Sequence, residues 1–146
     1  MRTITTRIMA LCTVLAFIGM MAAPLATFAG ITPVEIKIRV TEKGFLDEKG
    51  KPYNAKNVLR IPNGARVTIT FVFSEELTSL AAGDTHQVAV KSDKGVIGET
   101  EKIWIMNRQA SVTFHAGEQG QTRYRAYCVL DCIGMEHLTN LLIEVV

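Results

Sequence analysis

Alternation of apolar and polar residues at every second position predicts β-strands along most of the chain. The clearest strand is residues 67–73, where β-branched and aromatic side chains place apolar residues at 67, 69, 71 and 73. Residues 34–40 alternate apolar with charged side chains, as a half-buried strand does. Further short strands or extended segments are predicted at 58–61, 87–90, 103–105, 110–114, 123–127 and 141–146. Short strands with turn signals roughly every ten residues predict an all-β sandwich or barrel.

Two segments interrupt this strand pattern. Residues 74–82 are good helix formers, and Ser74 is a candidate N-cap with Glu75 and Glu76 in the first turn. We therefore expect a short helix or a helical turn as an insert after the strongest strand. Residues 44–53 are polar and contain Pro52, so we expect a loop or a long hairpin connection there.

The first 29 residues have the pattern of a secretory signal peptide. Arg2 and Arg7 form a basic start, residues 8–23 are almost wholly apolar, and Pro24 and small residues precede a predicted cleavage after Ala29. The alternative is a retained membrane anchor, although the apolar run is shorter than the ~20 residues of a bilayer span. We therefore predict a periplasmic or secreted domain of residues 30–146, with a membrane contact only if the segment is retained.

The charge balance and the absence of catalytic motifs argue against two classes of function, nucleic-acid binding and enzymatic catalysis. The chain has 16 basic and 14 acidic residues, and removal of Arg2 and Arg7 with the signal leaves the two signs equal. A net charge near zero gives no electrostatic basis for binding nucleic acid. No glycine-rich phosphate loop, serine-centred elbow or pair of carboxylates stands out, so the sequence predicts a protein that is not an enzyme.

Metal-binding side chains gather in one loop between the last two predicted strands. Cys128 and Cys132 are followed closely by Met135, Glu136 and His137. Thiolates and imidazole are ligands that copper and zinc favour. An exported protein can instead join two cysteines in a disulfide, which would stabilise so short a loop by roughly 2 kcal/mol. The two cysteines alone leave both interpretations open.

The histidines add to the metal interpretation. His137 follows the thiols within the same loop, and His86 begins a predicted strand after a Gly-Asp-Thr turn. In a sandwich, the start of a central strand and a late inter-strand loop often share one end. Met135 is either a core residue or a weak thioether ligand, and Glu136 is either a loop carboxylate or a ligand. His115 has no such partners and is predicted to lie on the surface.

The sequence resembles the cupredoxin family over most of residues 30–146. The resemblance rests on residues 58–71, on Asp84-Thr85-His86 before a strand, and on residues 114–127 leading into the cysteine loop. It implies a Greek-key β-sandwich with a short helical insert. It also implies that His86 is the first histidine ligand of a copper site.

Within that family, Cys128-Val-Leu-Asp-Cys132 is most similar to the dinuclear copper A loop of cytochrome oxidase subunit II and nitrous oxide reductase. That loop runs Cys, three residues, Cys, three residues, His, two residues, Met. Here four residues separate Cys132 from His137, Glu136 takes the place of the family histidine, and no methionine follows His137. The resemblance implies that one or two copper ions are held by His86, Cys128, Cys132 and His137, with Leu130, Met135 and Glu136 as weak or alternative ligands.

Three functions follow as hypotheses. The first is electron transfer through a copper A-like or related copper site, with a redox partner protein. The second is copper delivery or storage, in which the same ligands pass Cu(I) to a receiving protein. The third is a structural β-sandwich module with a Cys128–Cys132 disulfide. Zinc would also suit two cysteines and two histidines, and only the resemblance favours copper.

Overall fold

The computed structural model describes residues 33–77, 83–130, 138 and 141–146. These belong to the second of two units of the chain, Ile31–Val146, and the first unit, Met1–Gly30, lies outside the described residues. The predictions of a signal peptide in residues 1–29 and of a domain beginning at residue 30 therefore remain sequence-based. No helix in the described ranges is long and apolar enough to cross a membrane.

Strands make up most of the described chain. In order they are β1 Pro33–Thr41, β2 Gly44–Leu46, β3 Leu59–Ile61, β4 Arg66–Phe73, β5 Val88–Ser92, β6 Gly95–Glu99, β7 Gln109–His115, β8 Arg123–Cys128 and β9 Leu141–Val145. A short 3-10 turn, Glu118–Gly120, precedes β8. The all-β prediction is confirmed.

The strands form two sheets. The four-stranded sheet has the order β2-β1-β4-β7, and the five-stranded sheet has the order β3-β9-β8-β5-β6. β1 pairs in parallel with β4 from Pro33–Arg66 to Val40–Phe73, and β3 pairs in parallel with β9. The other pairs between these nine strands are antiparallel. Strands that are distant in sequence are therefore neighbours in the sheets: β1 lies beside β4, and β3 lies beside β9.

The core lies between the inner faces of the two sheets. In β4 the predicted alternation holds, and Val67, Ile69, Phe71 and Phe73 are all buried. The five-stranded sheet contributes buried residues at alternate positions in the same way. These include Val88, Val90, Tyr124, Ala126, Leu141 and Ile143.

The structure adds two strands that the sequence did not predict. The segment 44–53 is not only a loop, because Gly44–Leu46 pairs with β1 as a fully buried strand. β6, Gly95–Glu99, is a mostly exposed strand that pairs with β5 despite two glycines. The segment after Ser74, predicted as a short helix or helical turn, is a turn in its described part, residues 74–77: the Ser74 hydroxyl accepts from the Glu76 N–H at 3.3 Å, and residues 78–82 lie outside the described residues.

Candidate metal centre

His86 is held rigidly at the entrance to β5. Its backbone N–H donates to the Ile103 carbonyl at 2.8 Å, and the Ile103 N–H donates to the His86 carbonyl at 2.7 Å. Its side chain is 0% exposed. The backbone pairing fixes the Cα position, so the imidazole has little freedom beyond its own two torsions.

The imidazole packs against the other sheet. Its ring stacks on Phe73, the last residue of β4, with 5.3 Å between centroids and 22° between planes. Burial lowers the pKa of His86, and the Asp84 carboxylate opposes this shift to a smaller extent. The neutral ring is therefore favoured, and only the neutral ring has a nitrogen lone pair for a metal.

Cys128 ends β8, the strand beside β5. It follows Tyr124 and Ala126 at alternate positions, so all three side chains point towards the core. Cys128 is directly opposite Val88, and pairing continues as the Val129 N–H donates to the Gln87 carbonyl at 2.8 Å. In this register His86 lies diagonally across from Cys128 on the same face. Diagonal neighbours of this kind are within reach of aromatic and long side chains.

The loop after Cys128 begins and ends beside that residue. The Cys128 N–H donates to the carbonyl of Leu138 at 3.3 Å, and Leu138 is buried. The predicted ligands Cys132 and His137, and the alternatives Met135 and Glu136, lie between these two points and outside the described residues. Leu130 is described as a half-buried residue of the bend that follows β8.

The structure thus brings together the two predicted ligands that it describes. In the described part of the chain, no group of three or more His, Cys, Asp or Glu side chains could hold a metal ion. His86 and Cys128 nevertheless supply an imidazole at the entrance to β5 and a thiol at the end of the neighbouring strand β8. This donor pair fits copper, for which thiolate is a selective soft ligand and imidazole a common one.

Comparisons with known proteins found structural neighbours only. No family model matches the chain, and no curated protein matches it. Auracyanin A, a "blue" copper protein from the green thermophilic photosynthetic bacterium Chloroflexus aurantiacus, has a TM-score of 0.52 and 20% identity over 78% of this chain and 99% of its own. Auracyanin B has a TM-score of 0.52 and 14% identity, covering 77% of this chain and 88% of its own.

Reduced rusticyanin is a third neighbour, with a TM-score of 0.52 and 14% identity over 79% of this chain and 80% of its own. The fold is cupredoxin-like. At such low identities the likeness concerns the fold, and it confirms the fold predicted from the sequence. In this cupredoxin-like fold, the start of β5 and the end of β8 meet at one end of the sandwich, which is where His86 and Cys128 lie.

An exposed apolar turn adjoins His86 and was not predicted. Trp104 and Asn107 bond to each other through both backbone groups, at 3.0 and 2.9 Å, directly after the Ile103 bridge. Trp104 is 47% exposed and Met106 is 78% exposed. The predicted strand at 103–105 is therefore only an isolated bridge followed by a tight turn. Trp104, Ile105 and Met106 are apolar in sequence but cannot enter the core, because the turn directs them outwards.

Phe73 is a second residue of the site that the sequence analysis did not assign. Its position at the end of an alternating apolar strand predicted burial, and this is confirmed. Nothing in the alternation indicated that its ring would face an imidazole from the other sheet. That contact depends on the packing of the two sheets.

Proposed function

We propose that this protein binds copper through His86 and Cys128 and transfers electrons, without being an enzyme. The observation that carries the proposal is the position of buried His86, two residues before Val88, which pairs directly with Cys128 at the end of β8. The comparisons support it, because the fold resembles those of auracyanin A, which is a "blue" copper protein, auracyanin B and reduced rusticyanin. Bound copper would supply a one-electron couple.

The remaining ligands of the proposed site are Cys132 and His137. His137 directly precedes Leu138 in the sequence, and the Leu138 carbonyl accepts from the Cys128 N–H. The Leu130 carbonyl, Met135 and Glu136 are further candidate donors. Two thiolates and two imidazoles can hold two copper ions, as in a copper A-like centre, and a set with one thiolate would hold one ion.

The described residues suit such a site in two ways. Backbone bonds to Ile103 and the stack on Phe73 restrain the His86 ring. A restrained ligand moves little when the charge of the metal changes, which favours fast electron transfer. Burial also lowers the pKa of His86, which favours the neutral ring that binds metal without prior loss of a proton.

The proposal includes export and a protein partner. Residues 1–29 would direct the chain to the periplasm or the exterior, where residues 30–146 would exchange electrons with a redox partner protein. A metal held by thiolates needs cysteines that are not lost to a disulfide, so the proposal also requires that Cys128 and Cys132 remain reduced or bound to metal.

Copper loading with visible absorption and electron paramagnetic resonance tests this proposal. Intense thiolate-to-copper absorption is expected, and the resonance spectrum distinguishes a mixed-valence pair from a single ion. Cys128→Ser should abolish the colour, and Cys132→Ser should abolish it if both thiolates bind. Protein that stays colourless with one or two equivalents of copper would contradict the proposal.

Copper delivery is a second candidate function, favoured by one observation. Met106 places a thioether on the exposed turn that follows Ile103, the bridge partner of His86, and thioethers are soft ligands that select Cu(I). Redox cycling separates the two functions. An electron-transfer protein keeps its copper through repeated oxidation and reduction, whereas a delivery protein loses Cu(I) to a chelator such as bathocuproine. If Met106 takes part in delivery, this loss of Cu(I) should be slower in Met106→Leu.

A further inference from the structure

A groove crosses the outer face of the five-stranded sheet, away from the proposed copper site. It has a volume of about 480 Å³, and its floor includes Arg123, Arg125 and Leu142 from β8 and β9. The loop before β3 contributes Ala55 and Val58 to one wall. The end of β5 and the following turn contribute Lys91 and Asp93 to the other.

Two cations lie side by side in this groove, on neighbouring strands. Lys91 on β5 is directly opposite Arg125 on β8. Like charges at directly opposite positions of a sheet destabilise the pairing. The Lys91 ammonium lies over the Tyr127 ring, 4.5 Å from its centroid, which keeps it on this face. The Lys91–Arg125 pair therefore costs stability in the free protein. A negatively charged ligand bound between these two side chains would remove the repulsion and so explain why both are present.

The groove is lined by three cations, Lys91, Arg123 and Arg125, against two acidic residues. Glu144 is opposite Arg123 and forms an ion pair with Arg60 at 3.9 Å, the one such pair found among the described residues. The remaining acidic residue of the lining is Asp93. Lys91 and Arg125 therefore form the centre of a local positive excess in a domain whose charges are otherwise equal in number.

We infer that this groove binds an acidic, extended segment of a partner protein. Arg123 and Arg125 are alternate residues of one strand, so their side chains leave the sheet about 6.6 Å apart on the same face. Alternate side chains of an extended peptide have the same spacing, so carboxylates at every second position match the two guanidinium groups. The groove also contains the apolar side chains of Val58 and Leu142, against which the residues of the peptide between its carboxylates can pack. A free phosphate has no apolar part to make such contacts. The groove is recessed between two walls, which a flat membrane surface would not enter.

This inference is independent of copper, so it can be tested on metal-free protein. The probe is a synthetic peptide with glutamate at every second position and valine between, compared with a peptide of the same composition in which the glutamates are adjacent. Isothermal titration at low salt should show saturable binding of the alternating peptide. Its affinity should fall steeply with added salt, because exposed charges are screened within about 10 Å at 0.1 M.

Variants locate the binding. Arg125→Glu should weaken binding at least about tenfold, while raising the thermal midpoint by about 1–4 °C because the introduced carboxylate would face Lys91 as an opposite charge. Lys91→Gln removes one cation without adding a new charge and should weaken binding about threefold. The control is Lys37→Glu with Arg39→Glu, which reverses two exposed cations at alternate positions of β1 in the other sheet and should leave binding unchanged.

Several results would overturn the inference. These are the absence of saturable binding, equal affinity for the two peptides, or binding that survives both groove variants. Inorganic phosphate or anionic phosphatidylserine vesicles binding through Arg125 more tightly than the alternating peptide would show that the groove serves a different anion.

Discussion

The two ends of this sandwich are built from different chemical groups. At one end, which we call the closed end, backbone groups of the turn 62–65, of Ala116 and of Val146 bond to one another. The Asn63 N–H donates to the Val146 carbonyl at 3.0 Å, and the Gly64 N–H donates to the Ala116 carbonyl at 2.9 Å. At the other end, the donor end, the rings of Phe73 and His86 stack, and Cys128 ends β8 opposite Val88.

The difference indicates how the fold separates stability from function. Backbone bonds at the closed end tolerate many side chains, provided that the turns keep their shape. The donor end depends on particular side chains, and their removal should change chemistry more than stability. This separation of stability from function can be tested by substitutions at either the closed end or the donor end, with metal binding and the free energy of unfolding both measured for each variant.

Removal of His86 should have the largest effect on metal binding. His86→Gln deletes a proposed ligand, and we expect copper affinity to fall more than about 100-fold, beyond the range for residues that only orient a ligand. His115→Gln is the matched control, because His115 is exposed at the closed end of β7. Competition with a copper chelator measures both, and equal affinities in the two variants would contradict the proposed site.

At the closed end, an alanine at Gly117 should reduce stability and spare metal binding. Gly117 has φ 78°, and a Cβ there would collide with the side chain of Asn63. We expect the free energy of unfolding to fall by roughly 2–3 kcal/mol, of which about 1–2 kcal/mol comes from the backbone conformation.

Gly64→Ala is the control for that collision. Gly64 has a similar φ of 74°, but a Cβ added there would meet nothing within 4 Å. It should therefore lose only the conformational part, about 1–2 kcal/mol. Urea denaturation measures the free energy of unfolding of both variants. If Gly117→Ala is as stable as Gly64→Ala, the side chain of Asn63 moves aside without cost and the predicted collision is contradicted.

Phe73→Leu should affect both properties at the donor end. Phe73 and Phe71 lie on the same face of β4, and both are buried, but only Phe73 stacks on His86. Substitution of either phenylalanine by leucine should lower the free energy of unfolding by roughly 1–2 kcal/mol through lost packing. Only Phe73→Leu should also shift the copper absorption spectrum, and a spectrum unchanged in Phe73→Leu would mean that the stack does not restrain the imidazole.

The smallest effect is a dependence of stability on pH in the metal-free protein. Burial lowers the pKa of His86 from its ordinary value of 6.5. Between the lowered value and 6.5 the unfolded chain binds more protons than the folded one, so the free energy of unfolding falls as pH falls below about 6.5. The slope cannot exceed about 1.4 kcal/mol per pH unit for one group. Denaturation over this range should show the slope lost in His86→Gln and kept in His115→Gln.

Strand alternation was sufficient to predict much of this fold. The pattern at 67–73 corresponds to β4, Arg66–Phe73, and that at 34–40 corresponds to β1, Pro33–Thr41. Both strands have one buried and one exposed face, which is the condition under which period-two alternation is visible. β2 and β6 were missed for opposite reasons: Gly44–Leu46 is buried on all sides, and Gly95–Glu99 is mostly exposed.

Contacts between the two sheets could not be predicted from the alternation of apolar and polar residues. That His86 and Cys128 share a copper site could be proposed from the family resemblance, and the strand register places His86 diagonally across from Cys128. The stack on Phe73, the pairing with Ile103 and the outward turn at Trp104 depend on how distant segments pack. Local sequence carries no signal for those contacts.

X-ray absorption at the copper edge is the most direct test of the central claim that the donor end holds copper through a thiolate and an imidazole. We predict that copper-loaded protein shows both sulfur and imidazole nitrogen in the first coordination shell. The sulfur contribution should decrease or disappear in Cys128→Ser. A shell of oxygen and nitrogen alone in the unmodified protein, or one that Cys128→Ser leaves unchanged, would contradict the claim.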